Sequence, residues 1–567
     1  MRQLVTGSVL AVRAISGLHV ITIAWDFVAG QEAKREGLLG FAIERSELSG
    51  GVVIEQYYLR GIKRFKHKDE GVAPGTPMPT SEHPIQSFQW GDYTAKPGTT
   101  YRFKVLPVYG KPKLIQLDEA SEVTVEITTE SEKGHSGEDG LPAHDIYFNR
   151  GVAGSQAYAR KFGKTKPDPT LPESEQMKWL SRGLFEALSQ FISRAAGRDA
   201  AQYKLRAMLY EFQYLPVGKE FAAARSAGAD VAIRYEAQSY KEENEEMVSD
   251  AAIKSIAKPQ KVRAGIRHNK FIVMIHNDTP IGVWTGSTNI SAGGIFGHSN
   301  VGHAIWDKTI AQKYLDYWNR LADPDVTRAP LVEANLEAEP TPEIGTAPPA
   351  DRILTIFSPR DDRDTINTLH WYAGLMDSAK RLMCMTFAFN LDDLFREVLL
   401  KANGVLRYAV FDKRLDAETE DEIDAVKNTV IAAGAKLAKG DMENFIGETL
   451  SGFNRNLYIH DKFLLVDPLG DDPVVVTGSA NFSSTSQHAN DENMLVIRGS
   501  TRVADIYFGE FMRIFDHLYS RYIITRIRES GAGDPDAGFL KETAKDWVPS
   551  HFRRGRKDLR RRYFMGL

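Results

Sequence analysis

The chain has 567 residues, of which 42% are hydrophobic and 26% are charged, and its formal net charge is −4. This composition is typical of a globular protein, and the length exceeds what one hydrophobic core supports, so two or three domains are expected. The single cysteine, Cys384, excludes an intrachain disulfide framework and the usual cysteine-based zinc clusters. The small negative charge gives no global attraction to nucleic acid or anionic lipid.

The sequence contains no run of about 18 apolar residues that could span a bilayer. Residues 1–20 hold only a short, interrupted apolar stretch that continues into strand-like sequence. We therefore expect a cytoplasmic protein without a transmembrane segment. Peripheral attachment to a membrane and export without a cleaved signal are the alternatives.

Residues 1–130 alternate apolar and polar positions in short runs separated by turn residues. Ile21, Ile23 and Trp25 share one face of such a run, which predicts an all-β sandwich. The segment KPGTTYRFKVLPVYG resembles the penultimate strand of fibronectin type III domains. That resemblance implies an accessory or docking module with a protein partner, and no catalytic constellation is present in this region.

Two segments are predicted to be linkers because they are rich in glycine, proline and polar residues, namely 131–143 and 331–351. The regions between them, 144–330 and 352–530, each alternate amphipathic helices with apolar strands, which predicts an α/β fold with a mixed sheet in each half. One predicted helical face carries Leu180, Leu184, Leu188, Phe191 and Ala195; the corresponding face in the second half carries Leu369, Tyr372, Met376 and Ala379. Residues 531–567 form a basic C-terminal tail.

The two α/β regions share one polar signature. His268, Lys270 and Asn289 recur 192 positions later as His460, Lys462 and Asn481, with a GSxN element at the end of each copy. Alternation along a strand places each histidine and its lysine on the same face. One isolated HxK pattern arises easily by chance on a solvated strand, whereas two copies in the same register are strong evidence of an internal repeat.

HxK followed by GSxN, present twice, resembles the HKD motif of the phospholipase D superfamily, over roughly residues 144–525. That family includes phospholipases, phospholipid synthases, metal-independent nucleases and tyrosyl-DNA phosphodiesterases. The resemblance implies two pseudo-symmetric α/β halves that face each other and build one active site. Family behaviour further implies a two-step reaction through a phosphohistidine, with His268 as nucleophile and His460 as acid and base.

The residue types fit phosphodiester chemistry. Lys270 and Lys462 would neutralise the nonbridging oxygens, and the amides of Asn289 and Asn481 would donate hydrogen bonds as charge builds in the transition state. Ser287 and Ser479, in the GSxN turns, are predicted to contact substrate. No metal ion or cofactor is predicted, since the protein supplies the positive charge itself.

The copies differ at two positions. Asp467, seven residues after His460, corresponds to Ile275 in the first copy, and the nearest acid there is Asp278 in a predicted turn. In the family this Asp is structural. Glu492, eleven residues after Asn481, corresponds to Asn300; we expect Glu492 to orient His460 and Asn300 to orient His268. The tyrosyl-DNA phosphodiesterases have a similar asymmetry. The alternative is that Glu492 only caps a surface turn.

Three further histidines, His276, His298 and His303, follow no metal-ligand spacing and are assigned to turns and loops. The acidic segment 241–261 is interpreted as a solvated helix face. The tail carries seven Lys or Arg between Arg553 and Arg562, which predicts contact with an anionic surface, either phosphate backbones or membrane; a solubilising or packed tail is the alternative.

The sequence thus predicts a phosphodiesterase with one composite site. A phospholipid is the first choice of substrate and nucleic acid the second, because the signature residues recognise only the phosphate. A non-catalytic binding scaffold is a third reading, motivated by the missing first-copy Asp and by Asn300.

Overall fold

The protein is described from a computed structural model that covers residues 1–69, 71–72, 76–133, 143–151, 156–163, 165–263, 265–360, 367–434, 459–530 and 538–567. Most of the predicted linker 131–143 lies outside these residues. Among the described residues no helix is both long and apolar enough to cross a membrane.

The N-terminal region consists of two antiparallel sheets packed face to face, which confirms the predicted β-sandwich. One sheet has the order β1-β2-β3-β8 and the other β10-β9-β4-β5, with β11 also paired to β9. Its strands are β1 (Arg2–Thr6), β2 (Leu10–Ser16), β3 (Ile21–Phe27), β4 (Gly40–Ser49), β5 (Val52–Tyr58), β6 (Arg60–Gly61), β7 (Met78–Pro79), β8 (Gln89–Asp92), β9 (Thr100–Lys111), β10 (Leu114–Leu117) and β11 (Val123–Thr128). Ile21, Ile23 and Trp25 are buried in the core between the sheets, as the alternation predicts.

In its described residues, the first α/β half contains a seven-stranded sheet and seven helices. Its elements are β12 (Ala143–Phe148), α1 (Gln156–Phe162), α2 (Glu175–Ser181), α3 (Leu184–Ser193), β13 (Tyr203–Leu209), α4 (Leu215–Ala227), β14 (Asp230–Tyr235), α5 (Lys241–Asp250), β15 (Ala257–Pro259), β16 (Lys270–His276), β17 (Thr279–Gly286), β18 (Val301–Trp306), α6 (Lys308–Ala322) and α7 (Arg328–Ala338).

The second half repeats this organisation. Its elements are β19 (Leu354–Ser358), α8 (Thr368–Asp377), β20 (Leu382–Phe387), α9 (Asp393–Leu399), β21 (Leu406–Phe411), α10 (Ala417–Ala425), β22 (Thr429–Ala433), β23 (Phe463–Val466), β24 (Val474–Gly478), α11 (Ser484–His488), β25 (Glu492–Arg498) and α12 (Thr501–Ser530). Three short helices follow: α13 (Ala544–Trp547), α14 (Pro549–Phe552) and α15 (Arg556–Met565).

The two sheets have the same strand order. The first runs β12-β18-β17-β16-β13-β14-β15 and the second β19-β25-β24-β23-β20-β21-β22. In each, the last three strands are mutually parallel and the others are antiparallel. The predicted pair of α/β halves with mixed sheets is therefore confirmed, and an equal topology places equivalent residues of the two copies at equivalent edges.

Buried aromatic residues join the halves. Tyr317 on α6 stacks on Phe357 of β19 with 4.3 Å between ring centroids, and Phe148 of β12 meets Phe463 of β23 edge-on. Two single parallel bridges also cross the interface, Arg267 to Asp491 and Ser299 to Ile459. The bridges are equivalent under the repeat, so the strand ends that carry the signature histidines face each other across an approximate twofold axis.

Two predicted boundaries differ from the structure. The helical face from Leu180 to Ala195 is not one helix, because Arg182 and Gly183 adopt left-handed backbone angles, with φ of 51° and 92°, and separate α2 from α3. The second predicted linker begins later than expected, since α7 extends to Ala338 with Leu331 and Val332 buried.

The basic C-terminal segment is packed against the body of the protein rather than free. Trp547 is buried in the sandwich core, where its Nε1 donates to the carbonyl of Leu38 at 3.1 Å. Three of the predicted surface cations form ion pairs within the chain: Arg560 with Asp516, Arg561 with Asp26, and Arg562 with Asp558. These three arginines are therefore paired within the protein, and fewer of the seven basic side chains are available to contact an anionic surface than the sequence predicts.

Candidate functional site

The signature residues lie at the edge where the two sheets meet. His268 immediately precedes β16 and Lys270 begins it, while His460 and Lys462 immediately precede β23. The GSxN turns follow the neighbouring strands β17 and β24, which pair with β16 and β23 in antiparallel register. Each half thus brings its histidine, lysine and asparagine to the end of one hairpin.

A cleft of about 800 Å³ opens over this edge and is lined by both histidines and both asparagines. The imidazole rings of His268 and His460 are 6.4 Å apart between centroids. A tetrahedral phosphoryl group fits between two rings at this separation, so one group can be engaged from both sides.

Each histidine is held by a residue of the opposite half. Nδ1 of His268 donates to Glu492, 2.8 Å from Oε2 and 3.0 Å from Oε1. Nδ1 of His460 lies 3.0 Å from Oδ1 of Asn300 and 3.1 Å from the carbonyl of Ser287. The prediction that Glu492 orients His460 and Asn300 orients His268 is wrong, because the pairing is crossed between the halves.

Backbone hydrogen bonds repeat this crossed arrangement. The amide of His268 donates to the carbonyl of Asp491, and the amide of His460 donates to that of Ser299, each at 3.0 Å. Both imidazoles are therefore fixed by main chain and side chain together. Since Nδ1 is occupied in each ring, Nε2 is the nitrogen left to face a ligand.

The two signature serines do not contact the cleft as predicted. The hydroxyl of Ser479 donates to Oε2 of Glu492 at 2.7 Å, and that of Ser287 donates to Oδ1 of Asn300 at 2.9 Å. Both side chains are buried. The serines orient Glu492 and Asn300, which in turn orient the histidines. The structure therefore gives them a positioning role in place of the predicted contact with substrate.

The two lysines are buried beside the histidines. Nζ of Lys462 donates to the carbonyl of His460 at 2.6 Å, and Nζ of Lys270 donates likewise to that of His268. Each ammonium keeps further N–H donors beyond that bond. Asn289 is 2% exposed and lines the cleft, and among the described residues its Oδ1 has no hydrogen-bond partner.

Asp467 lies away from the histidines and organises the backbone. Its carboxylate accepts from the amides of Lys380, Arg381 and Leu382 at 2.8 to 3.0 Å, at the start of β20. In the first half, Asp278 sits in the two-residue turn between β16 and β17 and pairs with Lys204. Both acids therefore tie a hairpin to the neighbouring strand, and Ile275 itself is part of β16.

A family model described as the phospholipase D-like domain of cardiolipin synthase matches residues 375–518, which contain His460, Lys462, Asn481 and Glu492. The second half carries a phospholipase D-like domain. No curated protein sequence matches the chain.

Solved structures similar to the chain include the three that follow. The phospholipase D family member Nuc from Salmonella typhimurium is 20% identical over 32% of this chain and 94% of its own, with a TM-score of 0.23. Phosphatidylserine synthase from Haemophilus influenzae Rd KW20 is 11% identical over 62% and 91%, with a TM-score of 0.40. Yeast tyrosyl-DNA phosphodiesterase is 11% identical over 53% and 85%, with a TM-score of 0.34.

Burial sets the protonation of the candidate site. It lowers the pKa of His268 to about 4, although the charge of Glu492 opposes the shift. Burial also favours the neutral acid at Glu492, yet His268 and Lys270 hold the pKa of that carboxyl below its ordinary value. At neutral pH the pair is thus a neutral imidazole donating Nδ1–H to a carboxylate. Burial, with Lys462 and His298, lowers the pKa of His460 well below its ordinary value.

The sequence analysis missed several residues of the cleft. The ring of Tyr210 lies 4.7 Å from that of His268, and the ring of His298 lies 5.1 Å from that of His460. Glu211 and Phe389 line the cleft from equivalent positions after β13 and β20. Their position after the strand that pairs with each signature strand is the signal that could have identified them.

Two other histidines lie away from the cleft. His276 stacks on Tyr203, and His303 is bonded to His144 and Tyr507 in the interior. Among the described residues, no cluster of three or more His, Cys, Asp or Glu has the geometry to hold a metal ion.

Proposed function

We propose that this protein is a phospholipase D-like phosphodiesterase that acts through a phosphohistidine, with a phospholipid as its substrate. The observation that carries the proposal is the crossed pairing: two imidazoles across one cleft, each with Nδ1 held from the opposite half. Such an arrangement presents two Nε2 atoms to one phosphoryl group, which is what displacement with an acid on the far side requires.

In the first step, Nε2 of His268 attacks phosphorus and the bond from phosphorus to the leaving oxygen breaks. His460, protonated at Nε2, gives its proton to that oxygen, so that the alcohol leaves neutral. Attack places positive charge on the His268 ring, and the carboxylate of Glu492 on Nδ1 stabilises that charge. The unequal partners therefore favour His268 as the nucleophile.

Asn300 is a suitable partner for His460 if His460 acts as the acid. A neutral amide fixes the ring without stabilising the imidazolium, so the proton is released more readily than it would be beside a carboxylate. Burial and Lys462 keep His460 neutral in the empty site. An anionic phosphodiester in the cleft raises its pKa, so that protonation of His460 accompanies substrate binding.

In the second step, His460 takes a proton from a water molecule, whose oxygen attacks phosphorus. The bond from phosphorus to Nε2 of His268 breaks and the phosphate monoester is released. Lys270 and Lys462 offset the charge on the nonbridging oxygens in both transition states, and the amides of Asn289 and Asn481 contact them. Burial lowers the pKa of Lys462 to about 7, and a bound phosphate favours its charged form.

Phospholipid is preferred over nucleic acid because of what lines the cleft. Apart from the two signature lysines buried beside the histidines, the described residues of the cleft include no lysine or arginine, whereas grooves that hold nucleic-acid backbones are strongly basic. In the basic C-terminal segment, which could contact either phosphate backbones or a membrane, Arg561 pairs with Asp26 of the sandwich. A non-catalytic scaffold would have no use for two histidines oriented through crossed partners.

The reaction is tested with bis(p-nitrophenyl) phosphate in the presence of EDTA, comparing wild type with His268→Ala and His460→Ala. p-Nitrophenolate leaves without an acid, so we expect His460→Ala to release one equivalent rapidly and accumulate a covalent phosphoryl adduct, visible by intact-mass spectrometry. His268→Ala should form no adduct. Turnover by both variants at the wild-type rate would refute the site, and an adduct on His460 in His268→Ala would reverse the roles.

A further inference from the structure

A cavity of about 180 Å³ lies between the β-sandwich and the C-terminal helices. Two segments that are remote in the sequence line it, the stretch that enters β8 and the helices α14 and α15. The lining residues are Gln86, Ser87, Phe88, Gln89, His551, Lys557, Arg560 and Arg561. Half of them are basic, and none of the described lining residues is an Asp or Glu. The cavity shares no lining residue with the candidate active site.

The walls of this cavity are fixed by packing and by hydrogen bonds. The ring of Phe88 lies 5.9 Å from that of Trp547 and 5.3 Å from that of His551, between centroids. The side-chain amide of Gln86 is bonded at both ends to the backbone of Lys541, since Nε2 donates to its carbonyl at 2.6 Å and Oε1 accepts from its amide at 2.9 Å. The cavity is therefore a formed feature of the interface between the sandwich and the C-terminal helices.

Two side chains that line the cavity keep polar atoms without partners. His551 is only 7% exposed. In the part of the chain that the structure describes, neither nitrogen of its ring has a hydrogen-bond partner, and the ring contacts Phe88 and Trp547. The Nε of Arg560 is buried and likewise has no partner among the described residues. A buried donor without an acceptor is costly unless a ligand supplies one.

Positive charges crowd around the cavity. Lys557, whose side chain is exposed, bonds the hydroxyl of Ser550 at 3.2 Å and forms no ion pair within the described residues. Burial lowers the pKa of Lys63, and the nearby charges of Lys557 and Lys541 lower it further. Burial, together with three neighbouring cations, lowers the pKa of His551 to about 3. An anion in the cavity would relieve this repulsion.

The available donors suit an anion with several oxygens. Arg561 is occupied by ion pairs with two carboxylates, so Lys557 and Arg560 are the cations left to bind a ligand. Ser87 and Gln89 add a hydroxyl and an amide from the sandwich side. A phosphate monoester carries between about 1.5 and 2 negative charges at pH 7 and three acceptor oxygens, which matches two cations and donors on both walls. A carboxylate offers one charge and two oxygens.

We propose that the cavity between β8 and the helices α14 and α15 binds a phosphate monoester group. Lys557 and Arg560 pair with its oxygens, and the ring of His551 donates one N–H to it. The bound phosphate joins the sandwich to the C-terminal helices and so stabilises their interface. The site is separate from the proposed reaction, because no reacting group lies in it, although a phosphate monoester is also the chemical class that the reaction would release.

Hydrogen–deuterium exchange of the full chain locates the binding. The ligands are inorganic phosphate, glycerol 3-phosphate and phosphatidylcholine vesicles that contain phosphatidate, all at one ionic strength so that screening stays constant. We expect slower exchange in peptides from residues 86–92 and 549–565. If none of the three ligands slows exchange there, or if slower exchange is confined to peptides around the signature histidines, the proposal is overturned. No turnover is measured, so the result does not depend on the proposed function.

The same experiment distinguishes two sources of the phosphate. Slower exchange with the soluble anions assigns a free phosphate monoester, and slower exchange with the phosphatidate vesicles alone assigns a lipid headgroup. Vesicles that contain phosphatidylglycerol at the same surface charge are the control, because their phosphate is a diester. An equal effect of both kinds of vesicle, with none from the soluble anions, would show general attraction to a negative surface and contradict a phosphate site.

The matched variants each remove two positive charges from the same segment. Lys557→Gln/Arg560→Gln changes the cavity, and Arg553→Gln/Arg554→Gln changes exposed positions outside it. The Kd is read from exchange in residues 549–565 against ligand concentration. The cavity variant should raise it by roughly tenfold and the control by less than about twofold. Equal losses of affinity would contradict the proposal. If Arg560→Gln lowers stability, the single variant Lys557→Gln at its exposed position should still raise the Kd by roughly threefold, and an unchanged Kd would overturn the site.

Discussion

Glu492 of the second half accepts a hydrogen bond from Nδ1 of His268 in the first half, at 2.8 Å. The pair is buried, and its reciprocal partner across the cleft, Asn300 with His460, has an amide where the first has a carboxylate. The two imidazoles therefore have equivalent partners but different electrostatic surroundings, and the proposed mechanism gives them different roles.

The first prediction concerns the charge at position 492. Glu492→Gln can keep the hydrogen bond to His268 while removing the negative charge that supports its pKa against burial. We expect kcat to fall by about 10², within the range for a displaced acid–base partner. His268 must be unprotonated to attack, so the acid limb of the pH–rate profile should move to lower pH. An unchanged limb would show that another group produces it.

The complementary change is Asn300→Asp. A carboxylate on Nδ1 of His460 favours the imidazolium, which raises the pKa of His460 and weakens it as an acid. The alkaline limb of the profile should shift to higher pH, and the rate with a poor leaving group should fall more than that with p-nitrophenolate. Equal losses for both leaving groups would argue against His460 as the proton donor.

The signature serines provide a test of positioning. Ser479→Ala removes the donor to Glu492 and Ser287→Ala the donor to Asn300. Because neither hydroxyl lines the cleft, we expect kcat to fall by about fivefold with little change in KM, since each variant loses one hydrogen bond worth about 1 kcal/mol. A rise in KM at constant kcat would restore the original prediction of substrate contact.

Asp467 is predicted to serve stability. Asp467→Gly removes the acceptor of three backbone amides without strain at a φ of 44°, and should lower the free energy of unfolding by about 2 to 3 kcal/mol. The matched control is Asp278→Gly in the other half, which loses one exposed pair with Lys204 and should cost less than about 1 kcal/mol. Urea unfolding measures both; similar losses would contradict the assignment.

Burial makes Asp461 a source of pH-dependent stability. It raises the pKa of that carboxyl to about 7, above the value of about 3.9 in the unfolded chain. The folded protein thus binds more protons between these values, so stability falls as pH rises from 4 to 7. Asp461→Asn should raise the Tm at pH 8, and the gain should shrink toward pH 4. A gain independent of pH would exclude this cause.

The C-terminal helices are expected to act as part of the sandwich. Trp547→Ala removes a side chain buried against Phe41 and Phe88 and should destabilise the protein by about 3 kcal/mol or more. Arg553→Ala, at an exposed position of the same segment, is the control and should have little effect. Equal free energies of unfolding for Trp547→Ala and wild type would show that the packing of this segment does not stabilise the protein.

The repeated signature was sufficient to predict two similar α/β halves, because one register repeated twice reflects one fold repeated twice. The resemblance to the phospholipase D superfamily implied that His268 lies near His460. It could not reveal the crossed partners. Glu492 lies 32 residues after His460 and 224 after His268, and sequence distance favours the nearer histidine; only the packing of two sheets edge to edge brings it to the farther one.

The sequence also could not predict which acidic residues of α5 line the cleft. The sequence does not distinguish the four glutamates of α5, Glu242, Glu243, Glu245 and Glu246. Which of them line the cleft depends on how α5 packs through its buried residues Met247 and Val248. The choice between a surface patch and a packed tail was open for a related reason: the sequence does not show that Arg560 and Arg561 lie beside Asp516 and Asp26.

The matching topology of the two sheets has a consequence for how such a site can specialise. In a dimer of identical chains, rotational symmetry forces both histidines to have the same partner, so any change in one is made in both. Here the two copies belong to one polypeptide, and each position can be substituted independently. The linkage between the halves is thus what permits a carboxylate on one side and an amide on the other.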